Sequence, residues 1–136
     1  MDALSSIIAT ASSGMRAQGE RLRVVSENVA NSATTSQEPG GDPYRRKVIS
    51  FGQTTDAATG AAMVRVAEVT RDLSEFSFRY DPAHPGADEN GYVKLPNVNP
   101  LIEMSNMREA SRSYEANMSM VENAQQMRSQ LIDLLK

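Results

Sequence analysis

Few residues in this 136-residue chain are of types that do chemistry, and their spacing tests what each one does. The single histidine, His84, lies in Asp81-Pro82-Ala83-His84-Pro85-Gly86-Ala87-Asp88-Glu89, where an imidazole and carboxylates could gather a divalent cation. A zinc site needs a second nitrogen or sulfur ligand at a defined spacing, and a calcium loop needs oxygen ligands where Ala83 and Pro85 stand. The chain has one histidine and no cysteine, so the segment reads as a solvated turn. Gly14 and Gly19 are spaced as in a phosphate-binding loop, but Glu20 and Arg21 occupy the positions that a lysine and a hydroxyl residue must fill. Serines are many, yet one histidine in a proline-rich turn is no base for a nucleophile. Arg45-Arg46-Lys47 is a lone basic run whose side chains, on a strand, project to both faces. Three charges are too few for a nucleic-acid footprint, and the run reads as a solvated or inter-subunit strand. Asn117-Met118-Ser119 matches a glycosylation sequon inside a helical pattern, where the match is chance. The expectation is a non-enzyme with no catalytic residue, no metal ligand and no cofactor.

The bulk composition agrees with a structural role. One domain is the natural size for this length. Val, Leu, Ile and Phe make up about a fifth of the residues, close to the level at which chains struggle to bury enough apolar surface to offset ordering entropy. A net charge of -3, from 14 basic and 17 acidic side chains, offers no broad attraction to nucleic acid or anionic membrane. Met1-Asp2-Ala3-Leu4-Ser5-Ser6-Ile7-Ile8 has neither the basic start nor the continuous apolar run of a cleaved secretory signal. No run is long enough to span a bilayer, so a cytoplasmic chain is the default unless export is signal-independent.

The elements that position these residues are two helices and a β-rich middle, an α+β arrangement. Leu4, Ile8, Ala11, Met15, Leu22, Val25 and Val29 follow alternating steps of four and three, interrupted at Gln18, and predict a helix over 4–31. Gly14 and Gly19 each cost about 1 kcal/mol relative to Ala, so that helix is marginal without a partner. Asn99 is a fair N-cap with Pro100 at the first helical position. Met104, Met107, Ser111, Tyr114, Met118 and Val121, continued by Ala124, Met127, Leu131 and Leu134, then predict a helix to about 135. The pair suits an antiparallel coiled coil within the chain or between copies. Between them, 44–51, 63–69, 76–80 and 92–95 have strand patterning and predict a small antiparallel sheet, with Asn90-Gly91 as a tight turn. The expected divisions are 1–35, 36–96 and 97–136, the two terminal helices forming one inner domain.

Ser26-Glu27-Asn28-Val29-Ala30-Asn31, closing a helix rich in small residues, resembles the signature of bacterial flagellar rod and hook proteins. Tyr92-Val93-Lys94-Leu95-Pro96-Asn97-Val98-Asn99, followed by Glu103-Met104 and by Ala110-Ser111-Arg112-Ser113-Tyr114-Glu115-Ala116-Asn117, resembles the C-terminal rod motif of that family. Other members continue the asparagine motif with Thr-Pro-Gly-Tyr, whereas this chain reads Ser32-Ala33-Thr34-Thr35-Ser36. With Pro43-Tyr44-Arg45-Arg46-Lys47, the Asp81 to Pro85 turn and the short length, that departure is most similar to proximal-rod subunits. The likeness covers nearly the whole chain and is weakest over 53–75. It implies a subunit of the hollow axial rod that crosses the periplasm and transmits torque, exported without a cleaved signal. The implied inner layer is a coiled coil of the terminal helices, with the middle outside it.

The partners implied are further copies of the chain, the rod proteins FlgB, FlgF and FlgG, the basal-body adaptor FliE and the flagellar type III export apparatus, with no nucleic acid and no membrane insertion. The stripes and motifs single out Leu4, Ile8, Met15, Leu22, Val25, Asn28, Val29, Asn31, Met107, Tyr114, Asn117, Met118, Val121, Leu131 and Leu134 as assembly residues. A chain with such marginal helices is expected to fold fully only when neighbours bury the stripes. A soluble coiled-coil regulator or nucleic-acid-binding dimer is the alternative, carried by the heptads and Arg45 to Lys47.

Overall fold

The computed structural model describes residues 3–136. Its elements run α1 (Ala3–Ala30), β1 (Lys47–Thr55), β2 (Ala62–Arg71), β3 (Ser77–Tyr80), β4 (Tyr92–Leu95) and α2 (Pro100–Leu134). Two long helices flanking a small β region form the α+β arrangement that the periodicities require. The start of α2 follows from its cap: Asn99 Oδ1 accepts the N–H of Leu101 at 3.1 Å, and Asn99 O accepts that of Glu103 at 3.0 Å.

The strands depart from the sequence expectation in two ways. β1 begins at Lys47 and runs to Thr55, not over 44–51. Residues 44–46 lie outside the strand and are committed elsewhere: Tyr44 N–H donates to Thr34 O at 3.0 Å and Arg46 N–H to Asn97 Oδ1 at 2.8 Å. The second departure is that the strands make two separate two-stranded sheets, β1 with β2 and β3 with β4. The β1–β2 connection closes at Asp56, whose N–H donates to Ala61 O at 2.9 Å and whose carboxylate accepts the Thr59 hydroxyl at 2.8 Å. Gly60 takes a positive φ of 72° there, a conformation open to glycine without strain.

β3 and β4 pair antiparallel, Ser77 opposite Leu95 and Tyr80 opposite Tyr92. The two tyrosine rings meet edge to face with centroids 5.4 Å apart. Asn90-Gly91 closes the long 81–91 connection and is not a two-residue hairpin. Gly91 has φ 84°, its N–H donates to Asp88 O at 3.0 Å, and its carbonyl accepts Asp81 N–H at 2.9 Å. His84 is not in a solvated turn as expected. It is half-buried and both ring nitrogens are within hydrogen-bonding distance of a partner, Gly86 N–H and the Thr35 hydroxyl.

The described residues divide into two compact units. One takes the chain up to Leu22, Ile49–Glu68 and Arg108 onward; the other takes Arg23–Val48 and Val69–Met107. In the first, α1 lies antiparallel to α2: Arg21 pairs with Glu109 at 3.2 Å, Gly14 faces Asn117, and Arg128 donates to Ser5 Oγ at 2.9 Å. Another side of α1 meets the β1–β2 hairpin. Thr10 Oγ1 donates to Ala62 O at 2.9 Å, and Ser13 Oγ accepts Val64 N–H at 3.0 Å while donating to Thr10 O at 2.7 Å. Covered on two sides, α1 carries small residues there: Ala11, Ser13 and Ala17 are buried, as are Ala110 and Ala124 of α2 and Ala61 beside the hairpin turn. A Cβ on Gly14 would sit 2.6 Å from Asn117 Nδ2, so the glycine sets the helix separation there.

Candidate assembly surfaces

The second unit is organised by a polar cluster around Asn28, near the end of α1. Its amide N–H donates to Lys47 O at 2.9 Å and approaches Glu103 Oε2 at 3.5 Å. Its Oδ1 accepts the N–H of Lys47 at 2.9 Å and the Tyr44 hydroxyl at 2.7 Å. Glu103, on the first turns of α2, is 1% exposed and takes the guanidinium of Arg46, which also reaches Asp72 Oδ2 at 3.3 Å. Burial works against the Arg46 charge, but the Glu103 and Asp72 carboxylates outweigh it and hold the guanidinium more firmly protonated than usual.

Around this centre the other charges are paired too. Lys47 Nζ lies 2.6 Å from Glu27 Oε2, and that hydrogen bond, ahead of the Coulombic pull of Lys47 and Arg23, lowers the Glu27 pKa. Asp72 is lowered chiefly by the backbone N–H of Ser74. Burial raises the Tyr44 phenol. Asn97 binds Asp72 O and Ser74 O through its Nδ2 at 2.9 and 3.2 Å, fixing the approach to α2. Arg45 stacks 4.2 Å over the Phe76 ring and donates to the same two carbonyls. The basic run is therefore an internal clasp, neither a solvated strand nor a stripe offered to a polyanion.

The structure separates the residues that the sequence groups together. Val25 and Asn28 are buried within the chain, and Leu4, Ile8, Met15, Leu22, Val29 and Asn31 of α1 and its exit are half-buried. Asn31 caps locally, donating to Glu27 O at 2.9 Å and accepting the Thr34 hydroxyl at 3.1 Å. On α2, Met107, Tyr114, Asn117 and Val121 are half-buried, whereas Met118, Leu131 and Leu134 are 38%, 54% and 81% exposed. The inward line of α2 is Glu103, Met107, Ala110, Tyr114, Asn117, Val121, Ala124 and Arg128, in steps of four and three. That line is one residue out of phase with Met104, Ser111 and Met118, which lie on one flank of the seam, whereas Met107 is within it. Met104, Met118, Met120 and Met127 face solvent, together with Leu131, Ile132, Leu134 and Leu135.

Glu103, Arg46, Tyr44 and Asn97 carry the second unit, and the assembly set omits all four. The signal for Glu103 is an acid at a seam position of the 103/107/110 phase, and the strand reading of 44–51 conceals Tyr44 and Arg46. Among the described residues no group of acidic or histidine side chains is arranged to hold a metal ion, and no helix is long and apolar enough to cross a membrane.

The helix pair spends its small and polar residues on internal contacts and leaves large apolar ones exposed along α2. A model of the flagellar basal body rod FlgEFG protein C-terminal family matches residues 89–134. The chain is 48% identical over 136 residues to the flagellar basal-body rod protein FlgC of Agrobacterium fabrum, covering all of this chain and 98% of the relative. It is 41% identical over 142 residues to that of Borreliella burgdorferi, with 91% and 92% covered, and 42% identical over 127 residues to that of Salmonella typhimurium, with 92% of each covered. The chain belongs to the FlgC family of flagellar basal-body rod proteins.

Proposed function

We propose that this chain is a structural subunit of the flagellar basal-body rod, polymerising into the proximal part of the drive shaft and transmitting torque without catalysis. The observation that carries the reading is the set of large apolar side chains that α2 leaves exposed: Met104 and Met118 on one flank of the seam, Met127 and Leu134 on the other, and Leu131 on the seam line beyond Arg128. Contiguous exposed apolar residues mark protein contact surfaces, and contacts between unlike faces that do not close build a helical array. Family membership places the assembly in the flagellar basal body. Our finer reading is a rod layer formed by both terminal helices in the periplasm, reached through the type III export apparatus without signal cleavage. Its neighbours are copies of the chain, FlgB, FlgF, FlgG and FliE.

The assembly residues in this reading are those with remaining exposure: Leu4, Ile8, Met15, Leu22, Val29, Met107, Tyr114, Met118, Val121, Leu131 and Leu134. Asn31 and Asn117, half-buried as well, belong with them, whereas the buried Val25 and Asn28 act through the fold that presents the others. Export and basal-body incorporation of Leu131→Ala, compared side by side with the wild-type chain in a motile host lacking its own copy, test the proposal. Export should persist while incorporation falls. A variant that is exported and incorporated normally, together with unchanged motility for Leu134→Ala and Met118→Ala, would refute it.

A further inference from the structure

The loop after α1 and the connection between β3 and β4 are joined at one side chain. His84 Nδ1 accepts the backbone N–H of Gly86 at 2.8 Å, and Nε2 lies 3.1 Å from the Thr35 hydroxyl. The two backbones press together around these bonds. Gly40 N–H donates to Gly86 O at 3.2 Å, and a Cβ on Gly86 would sit 2.2 Å from the Ser36 carbonyl oxygen. A backbone N–H only donates, so Nδ1 must present its lone pair. The proton of the neutral ring is therefore on Nε2, where it can be donated to Thr35 Oγ1. We propose that His84 is a protonation-sensitive latch. The neutral ring clips the Thr35–Gly41 loop to the Asp81–Asp88 connection. A proton added at Nδ1 turns the acceptor facing Gly86 N–H into a second donor; Nε2–H still faces Thr35, but the 84–86 turn loses the bond that aims Gly86 O at Gly40 N–H, and that contact between the segments loosens.

The carboxylates of the two segments have other partners or are exposed. The carboxylates carried by the two segments are Glu38, Asp42, Asp81, Asp88 and Glu89. Asp42 takes Lys94 Nζ at 3.0 Å, Asp81 lies 3.7 Å from Arg79, and Asp88 Oδ1 accepts the N–H groups of Asn90 and Tyr92 at 2.9 and 3.0 Å. Glu38 and Glu89 are exposed. Tyr44 N–H to Thr34 O, with no titrating group in the bond, bounds the released stretch.

The full-length chain is suited to a direct test, because its sole histidine can be labelled with 15N and followed without ambiguity. At about pH 8 the ring shifts should show a protonated Nε2 and a hydrogen-bonded, unprotonated Nδ1. Titration to about pH 5 spans the interval in which imidazole changes charge. Over it the Gly86 and Gly40 amides, corrected for intrinsic exchange, should lose protection by about fivefold, the factor expected for one ordinary hydrogen bond, with the midpoint of the ring. His84→Asn keeps an acceptor two residues before Gly86, as an Asx turn does, and should protect the Gly86 and Gly40 amides equally at both pH values; His84→Ala should leave them exposed at both. A proton on Nδ1 at about pH 8, or a ring that titrates while the two amides keep their protection, overturns the proposal. A His84→Asn chain that retains the pH response overturns it as well.

Discussion

Removing Arg46 alone should damage the second unit more than removing Arg46 and Glu103 together. Glu103 is 1% exposed, and beside the guanidinium its carboxylate has the Asn28 amide at 3.5 Å. Arg46→Met leaves that carboxylate buried without its counter-ion, a change that typically costs about 3–5 kcal/mol. The Arg46 side chain is 24% exposed, so water can reach part of the vacated space, and we expect the low end, about 3 kcal/mol. Replacing both residues with Met removes the stranded charge and leaves apolar packing of similar volume, a change of about 1 kcal/mol. The assay is native-state hydrogen exchange of the Lys47 amide, which Asn28 Oδ1 accepts at 2.9 Å inside the cluster. Exchange should accelerate by roughly a hundredfold in Arg46→Met and by no more than about tenfold in the double variant. Equal acceleration in the two variants would refute the claim that Glu103 is held by this pair.

Gly19 has open space around its Cα, so Gly19→Ala should gain up to about 1 kcal/mol of helix stability in urea denaturation. Gly86→Ala drives a Cβ into the Ser36 carbonyl and should lower the midpoint, since backbone cannot rotate away as a side chain does. Glu27 and Asp72 have folded pKa values below their ordinary ones, so their stabilising contribution is complete above the usual carboxylate range and is lost as pH falls through the folded values. Lys47 amide protection should therefore persist to about pH 5 and fall below about pH 4, and Lys47→Gln should blunt the Glu27 part of that fall. Ala110 is 0% exposed, so Ala110→Leu should cost about 1–3 kcal/mol by overpacking, measured by thermal denaturation followed by circular dichroism.

The helices and their ends were legible because their signals are local. Asn99 and Pro100 mark the start of α2 by capping chemistry alone, and the steps of four and three give α1 to within a residue at either end. Strand limits were not, because what ends β1 is not in its own pattern. Tyr44, Arg45 and Arg46 alternate as a strand should, but Asn97 and Thr34 take their backbone groups and Glu103 takes a side chain. The single sheet became two because residues 72–76 turn their polar groups to Arg45 and Asn97. The motif around Asn28 was visible, but its role was not: the residues it binds lie 16, 19 and 75 positions away. His84 failed for the same reason, its Thr35 partner being 49 residues distant.

The part of the seam that apolar periodicity misses has a physical cause with a consequence for assembly. Periodicity finds Ala11 and Ala124 among larger side chains, but the inward faces also use Ser13, Gly14, Ala17 and Ala110, because α1 must fit between α2 and the β1–β2 hairpin. Small residues release little free energy on burial, and Gln18 Oε1 is buried without a hydrogen-bond partner on the same helix, so the first unit gains little from its own contacts. The large apolar groups are elsewhere, with Leu131, Ile132, Leu134 and Leu135 between 52% and 87% exposed. Covering those four side chains would contribute on the order of 5 kcal/mol per subunit, comparable to the whole stability of a small domain. The α2 tip therefore gains little in an isolated chain, and in the proposed assembly a neighbour would supply the burial that the tip lacks. On that reading the end of α2 is the part of the molecule whose order depends most on its place in the polymer.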